Sequence, residues 1–142
     1  MEIIFDTSNF KRKTLESALT QFNYSKYEKG DNYNFQRKKV FGFYVYDNQE
    51  FIGGVYGWID HCNWIWLDLL FVQEKHRGKD VATRLLQEVE KFGKSNNVIG
   101  LKTETWSFQA LDFYKKFGFE VYGQLDDYPL GATDYCLKKK LI

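Results

Sequence analysis

One stretch constrains this chain more than any other: Ile65 Trp66 Leu67 Asp68 Leu69 Leu70 Phe71 Val72, then a polar basic segment at 73–80, then Val81, Leu85, Val89 and Phe92 at one-face helical spacing. The nearly uninterrupted apolar run reads as a buried strand, and the periodic positions read as an amphipathic helix that begins near Val81. The first amides of such a helix have no intrahelical acceptor and lie at the positive end of its dipole. A loop that carries Lys75, Arg77, Gly78 and Lys79 at that point suits an anion, with phosphate the natural candidate. The competing reading is an ordinary solvated strand-to-helix turn.

Spacing separates the known phosphate loops. Neither Gly-x-x-x-x-Gly-Lys-Ser/Thr nor Gly-x-Gly-x-x-Gly occurs here. The loop instead resembles the Arg/Gln-x-x-Gly-x-Gly/Ala segment of the GNAT superfamily of acyl-CoA-dependent N-acyltransferases, with Arg77, Gly78, Val81 and Ala82 in register. Asp80 stands where that family has its central glycine. Aspartate is among the best helix N-caps, which gives Asp80 a local role, and Arg77 and Lys79 offset its charge.

Length and charge narrow the rest. A chain of 142 residues is long enough for one domain, 1–142, with a full core. A net charge of +1 supplies no global field for nucleic acid or an anionic membrane, so neither is expected as a partner. No apolar stretch approaches the roughly 20 residues of a membrane span, and the N-terminus has no signal-peptide core, so the expected location is cytoplasmic. The two cysteines, Cys62 and Cys136, lie in no Cys-x-x-Cys or Cys/His pattern; reduced thiols and no metal site are expected. His61, in a turn, and His76, in the basic loop, are expected to be solvated, and neither belongs to a nucleophilic arrangement, which disfavours a covalent acyl-enzyme.

Taken in order, residues 2–5 read as a first strand. Leu15, Ala18, Leu19 and Phe22 then place a helix over 12–23. Residues 24–37 leave open a short second helix and a loop, with Tyr24, Tyr27, Tyr33 and Phe35 as a lid or substrate wall or as surface. Residues 40–46 and 51–59 form a hairpin around Asp47 Asn48 Gln49 Glu50, and Gly53, Gly54 and Gly57 point to a bulge or a close approach. After the turn at 60–63 the central strand, 64–71, is followed by the helix and by a strand at 98–105. A strand, a crossover helix and a strand make those two strands parallel neighbours. Ser107 is read as the N-cap of a helix bearing Ala110, Phe113, Tyr114 and Phe117, closed by Gly118, and strands at 121–125 and 133–138 end the chain.

A second motif supports the first. Ser107-x-x-Ala110-x-x-x-Tyr114-x-x-x-Gly118-Phe119 is similar to the Asn-x-x-Ala-x-x-x-Tyr-x-x-x-Gly-Phe signature of the same superfamily, with Ser107 replacing the asparagine. The resemblance covers essentially the whole chain. It implies a mixed α/β (α+β) domain with a mostly antiparallel central sheet of about seven strands, a parallel pair at its centre and helices on both faces.

The activity it implies is N-acetyl transfer from acetyl-CoA, as cosubstrate, to a small-molecule amine, with no metal and with a homodimer among the candidate assemblies. Backbone groups of Leu70, Phe71 and Val72 would pair with the pantetheine arm. The segment Arg77, Gly78, Lys79, Asp80, Val81 and Ala82 would hold the pyrophosphate, and Ser107 would border the arm. Tyr114 is the candidate general acid; a core tyrosine is its plain alternative. Asp68 and Glu104 are candidate bases. Alternation places Asp68 with Trp66 and Leu70, with Lys102 as the partner it would otherwise have. Asp126, Asp127 and Tyr128, with Glu104 and Asp60, would give an acidic, aromatic cleft that prefers a cationic amine. The other class of function left open is an acyl-CoA-binding or regulatory module in which Asp80 and Ser107 mark lost catalysis.

Overall fold

The computed structural model of this chain describes residues 1–27, 34 and 37–142, and two compact units are recognised, Met1–Gln36 and Arg37–Ile142. The first contains helix α1 (Asn9–Lys26). Its entry is built by short polar side chains: the Ser8 hydroxyl accepts the Lys11 amide at 3.4 Å, and the Asp6 carboxylate accepts the Ser8 amide at 2.6 Å and pairs with the Lys11 ammonium at 3.0 Å. Residues 2–5 form no strand, contrary to expectation. Four residues carry no period that separates a strand from an extended lead-in to a helix. Residues 24–26 continue α1, while 28–33 and 35–36, with Tyr33 and Phe35 of the expected wall, lie outside the described residues.

The second unit holds a six-stranded sheet of β1 (Lys39–Asp47), β2 (Glu50–Ile59), β3 (Trp64–Val72), β4 (Gly100–Trp106), β5 (Glu120–Asp126) and β6 (Thr133–Lys140), in the spatial order β1-β2-β3-β4-β6-β5. The expected seventh strand was the one at 2–5. All neighbours are antiparallel except β3 and β4, which are joined by helix α2 (Val81–Ser95). The first hairpin turns at Asn48 and Gln49, both with positive φ, which matches the right-handed twist of its strands. The second turn is held by Asp60, whose carboxylate accepts the Cys62 and Trp64 amides at 2.9 and 3.1 Å.

One face of the sheet makes the core. Ile65 and Leu67 of β3, Leu101 of β4 and Leu137 of β6 are buried against Leu85, Leu86 and Val89 of α2 and against Tyr114 and Phe119. Tyr114 belongs to a short helix, α3 (Leu111–Lys116). Fully burying a Leu or Ile side chain contributes roughly 1.5–3 kcal/mol, so this layer fixes the register of the strands beneath it. Among the described residues no helix is long and apolar enough to cross a membrane.

A single irregularity in β3 determines what the sheet can do. Gly57 pairs with Leu67 and Tyr56 with Leu69, which leaves Asp68 as the extra residue of a β-bulge. The bulge reverses the alternation: Ile65 and Leu67 before it, and Leu70 and Val72 after it, pack toward the core. Asp68 is therefore off the face of Leu70, and it is exposed rather than a buried charge in an apolar strand. At Gly57 an added Cβ would lie 2.1 Å from the Trp66 carbonyl oxygen, so only glycine admits this approach of β3 to β2. Beyond the bulge β3 leaves β4. Their pairing runs only from Trp64–Gly100 to Trp66–Lys102, so the expected parallel neighbours are neighbours for three residues and then part.

Candidate active site

Where β3 and β4 part, they leave a cleft of about 740 Å³. Its first wall is main chain. The Gln73 amide donates to the Ile52 carbonyl of β2 at 2.9 Å, so strand alternation turns the peptide groups of Val72 and Leu70 the other way, toward the cleft. The Val72 carbonyl accepts from Arg77 Nε at 3.0 Å. Phe71 departs from expectation: its peptide groups face β2, and what it offers is its ring, 5.9 Å from the Arg77 guanidinium carbon.

The floor is the loop into α2. A single 3₁₀ turn, Glu74–His76, leads to Gly78 at φ 74° and Asp80 at φ 60°. Asp80 occupies the N-cap position of α2, but its carboxylate makes no capping hydrogen bond. A capping side chain needs an extended backbone at its own residue, and Asp80 is left-handed, a region that aspartate tolerates better than most residues. The first amides of α2 thus keep no side-chain partner, and the first helical bond to Asp80 comes from Arg84 at 2.9 Å. Gly78, Asp80, Val81 and Ala82 line the cleft with Arg77, whereas Lys79 does not. His76 was expected to be solvated. The 3₁₀ turn folds its ring inward, and Nε2 is buried without a hydrogen-bond partner among the described residues.

The opposite wall is the end of β4 and α3. Thr105 and Gln109 shape the turn between them, with Gln109 accepting from the Trp106 amide at 2.9 Å. Ser107 is not the N-cap of α3. Its amide donates to Thr133 O at 2.8 Å and its hydroxyl accepts the Thr133 amide at 3.1 Å, which ties the turn to β6 and keeps Ser107 out of the cleft. The helix closes as expected: the Phe119 amide reaches Tyr114 O and the Gly118 amide reaches Lys115 O, both at 3.0 Å, with Gly118 at φ 101°. This closure and the edge-on Phe119 ring, 5.3 Å away, hold Tyr114 in place.

Tyr114 is 6% exposed and lines the cleft. Burial pushes its hydroxyl up to about 12, opposed by a hydrogen bond with Thr103. The buried Thr103 hydroxyl also donates to Leu67 O at 2.9 Å, spanning the last point at which β3 and β4 are close. Thr103 was absent from the expected site. Its signal is a pair of hydroxyl residues, Thr103 and Thr105, on the core-facing positions of β4 after Leu101.

The acids divide sharply. Asp68 and Glu104 both line the cleft, from opposite walls. Lys102, the expected partner of Asp68, instead pairs with Asp60 at 2.9 Å. Burial raises the Asp60 carboxyl, but Lys102 and the Trp64 and Cys62 amides outweigh it and hold it below the usual carboxylate range. Asp126 accepts from the Thr133 hydroxyl at 2.9 Å and Asp127 from the Gly131 amide at 3.1 Å, so both are engaged in the β5–β6 turn. Glu104 is raised, first by partial burial and then by the neighbouring Asp134 carboxylate. Burial likewise raises Asp134.

Comparison with known proteins gives a consistent result. The profile described as Acetyltransferase (GNAT) family matches residues 11–119. A blasticidin-S acetyltransferase of Streptomyces morookaense is 38% identical over 95 residues, 65% of this chain and 68% of that protein. The crystal structure of an acetyltransferase from Bacillus cereus superposes with a TM-score of 0.85 at 26% identity, covering 99% of each chain. An aminoglycoside 6'-N-acetyltransferase complexed with coenzyme A superposes at 0.65 with 16% identity, covering 99% of this chain and 98% of that one.

Proposed function

Because this chain belongs to the acetyltransferase (GNAT) family, we propose that it moves an acetyl group from acetyl-CoA to a primary amine by direct transfer in a ternary complex. The observation that carries this is the parting of β3 from β4, which turns the peptide groups of Leu70 and Val72 into a cleft that ends at the uncapped amides of α2. An extended amide-bearing arm with a pyrophosphate at one end fits such a wall and floor. Leu70 and Val72 would take the arm as a further strand, and Arg77 with the Gly78–Ala82 amides would take the phosphates. When bound, acetyl-CoA supplies an activated acyl thioester.

The protein's own groups handle the protons. A Leu70 or Val72 N–H donates to the carbonyl oxygen as negative charge grows there. A carboxylate, Glu104 or Asp68 on the walls of the cleft, accepts one proton from the ammonium before its nitrogen attacks. As the new C–N bond forms and the C–S bond breaks, Tyr114 gives its phenolic proton to sulfur. The second ammonium proton replaces it, and the products are an amide, a free thiol and one proton released to solvent.

A relative named for blasticidin S, 38% identical over 95 residues, supports a small-molecule acceptor. The test is thiol release from acetyl-CoA against blasticidin S, an aminoglycoside, spermidine and lysine, with mass analysis of the amine. Steady release with one acetyl group gained by an amine is expected. Tight CoA binding with no turnover on any amine would instead make the chain an acyl-CoA-binding module.

A further inference from the structure

Two parts of the cleft compete for one atom. The Val72 carbonyl ends the wall of β3 beside the loop into α2, and it accepts from Arg77 Nε at 3.0 Å. The guanidinium carbon stands 5.9 Å from the centre of the Phe71 ring, within reach of a cation–π attraction. Among the described residues Arg77 forms no ion pair, although three carboxylates, Asp68, Asp80 and Glu104, line the same cleft. Of the described side chains on those walls it is the only lysine or arginine. The one strong cation of the cleft is therefore engaged by a neutral carbonyl.

That carbonyl is needed elsewhere. An extended arm that adds to β3 as a further strand requires main-chain acceptors, and Val72 O is the one nearest its phosphate end. Because Arg77 lines the cleft, the group that satisfies this oxygen also stands in front of it. A neutral arm that displaces Arg77 exchanges one bond for another and leaves a partly buried Nε–H without an acceptor. A diphosphate changes the balance. Nε–H and the adjacent Nη–H form a bidentate edge of the guanidinium, and a phosphate that accepts both makes charge-assisted bonds roughly twice as strong as one to a neutral carbonyl.

We propose that Arg77 is a specificity residue that admits donors carrying a diphosphate and disfavours thioesters that end before it. In the free protein it closes the Val72 carbonyl. A diphosphate at the α2 amides draws the guanidinium to itself, and the freed carbonyl takes the nearest N–H of the arm. The proposal deepens the acetyltransferase reading and rests on the donor named there. Asp80 makes the requirement stricter, because its carboxylate weakens the loop's own attraction for an anion and leaves more of the pull to Arg77.

Calorimetry on the full chain tests this without turnover, with coenzyme A, pantetheine and inorganic pyrophosphate as probes. Arg77→Met keeps an aliphatic stem beside Phe71 and removes every donor. It should bind coenzyme A about tenfold or more weakly than the wild type, yet bind pantetheine about threefold or more tightly, since a neutral bond no longer has to be broken. In the wild type, saturating pyrophosphate should tighten pantetheine binding by a similar factor, and pantetheine should tighten pyrophosphate equally by linkage. In Arg77→Met the two probes should bind independently. The wild-type measurement decides the matter even where the variant does not fold. Pantetheine affinity that is equal or lower in Arg77→Met, no pantetheine binding to either protein, or a wild type in which pyrophosphate leaves pantetheine binding unchanged overturns the proposal and makes Arg77 a fixed phosphate clamp. Opposite shifts of coenzyme A and pantetheine in a protein that acetylates no amine would leave the proposal standing and overturn the transfer reading alone.

Discussion

The Thr103 hydroxyl donates to the Leu67 carbonyl at 2.9 Å across the point where β3 and β4 part, and the same oxygen meets the hydroxyl of Tyr114. With its one proton engaged by Leu67, Thr103 is an acceptor for the phenol. Thr103→Val keeps the shape and removes the link, leaving a buried carbonyl unpaired at a cost of about 1–3 kcal/mol in urea unfolding. Turnover should fall by less than on removing the Tyr114 hydroxyl, and Thr103→Ser should restore both. Unaltered stability in Thr103→Val would count against the link.

Tyr114→Phe removes only the hydroxyl from a residue fixed by the helix closure. It should leave CoA affinity unchanged and lower kcat by about 10²- to 10⁴-fold. A general acid works while it holds its proton, and burial has pushed this phenol up to about 12. Loss of the Tyr114 proton should therefore cause no decline in kcat between pH 7 and about 10. An alkaline limb in that window that vanishes in Tyr114→Phe would show a much more acidic phenol than the burial of the ring permits.

Asp80 separates a backbone effect from a charge effect. Its φ of 60° suits glycine, and its carboxylate caps nothing. Asp80→Gly should bind CoA as well as the wild type or better, because a negative charge leaves the anion loop while the backbone keeps its path. Asp80→Ala removes the same charge but strains the left-handed position, and should melt lower by the equivalent of about 1 kcal/mol. Binding and melting curves at low and high salt check both; weaker CoA binding in Asp80→Gly would assign the carboxylate a positive role.

Asp134 gives a pH-dependent stability with a definite sign. Its folded pKa is raised by burial, so the fold disfavours the ionised form, and the stability associated with the protonated form is lost as pH rises through the folded value. Asp134→Asn, which cannot ionise, should have a higher Tm than the wild type at pH 7, with the difference shrinking toward about pH 4. Glu104 beside it is raised as well, by burial first and then by the Asp134 charge, with Lys102 acting the other way. A Tm lowered at pH 7 would mean that Asp134 has a stabilising partner.

Much of this was legible in the chain because strong periods and turn chemistry act locally. The strand expected at 64–71 and found at 64–72, the helix from Val81, the hairpin at Asn48–Gln49 and the Gly118 closure each follow from neighbours in sequence. What was not legible depends on residues far apart. The bulge at Asp68 is a relation between β3 and β2, so counting by twos along β3 gave the wrong face for Leu70. Ser107 has the composition of a cap, but its hydroxyl is taken by Thr133, 26 residues away. Asp134 sits in a strand whose visible pattern is polar and basic, and its place beside Glu104 and Cys136 emerges only when β6 is laid between β4 and β5.

The wall that Leu70 and Val72 present to the cleft consists of peptide groups, which every amino acid except proline carries alike. The exposed side chains of this strand, Leu69 and Phe71, can consequently drift through mutation while the hydrogen-bonding surface stays constant. Purifying selection should fall instead on what sets the path of the chain: the extra residue at Asp68 and the vacancy at Gly57 that lets β3 bend against β2. Proline at 70 or 72 is the substitution that such drift could not absorb. A lineage built this way would carry the proposed acetyl-CoA wall in the path of its backbone more than in the identity of its side chains.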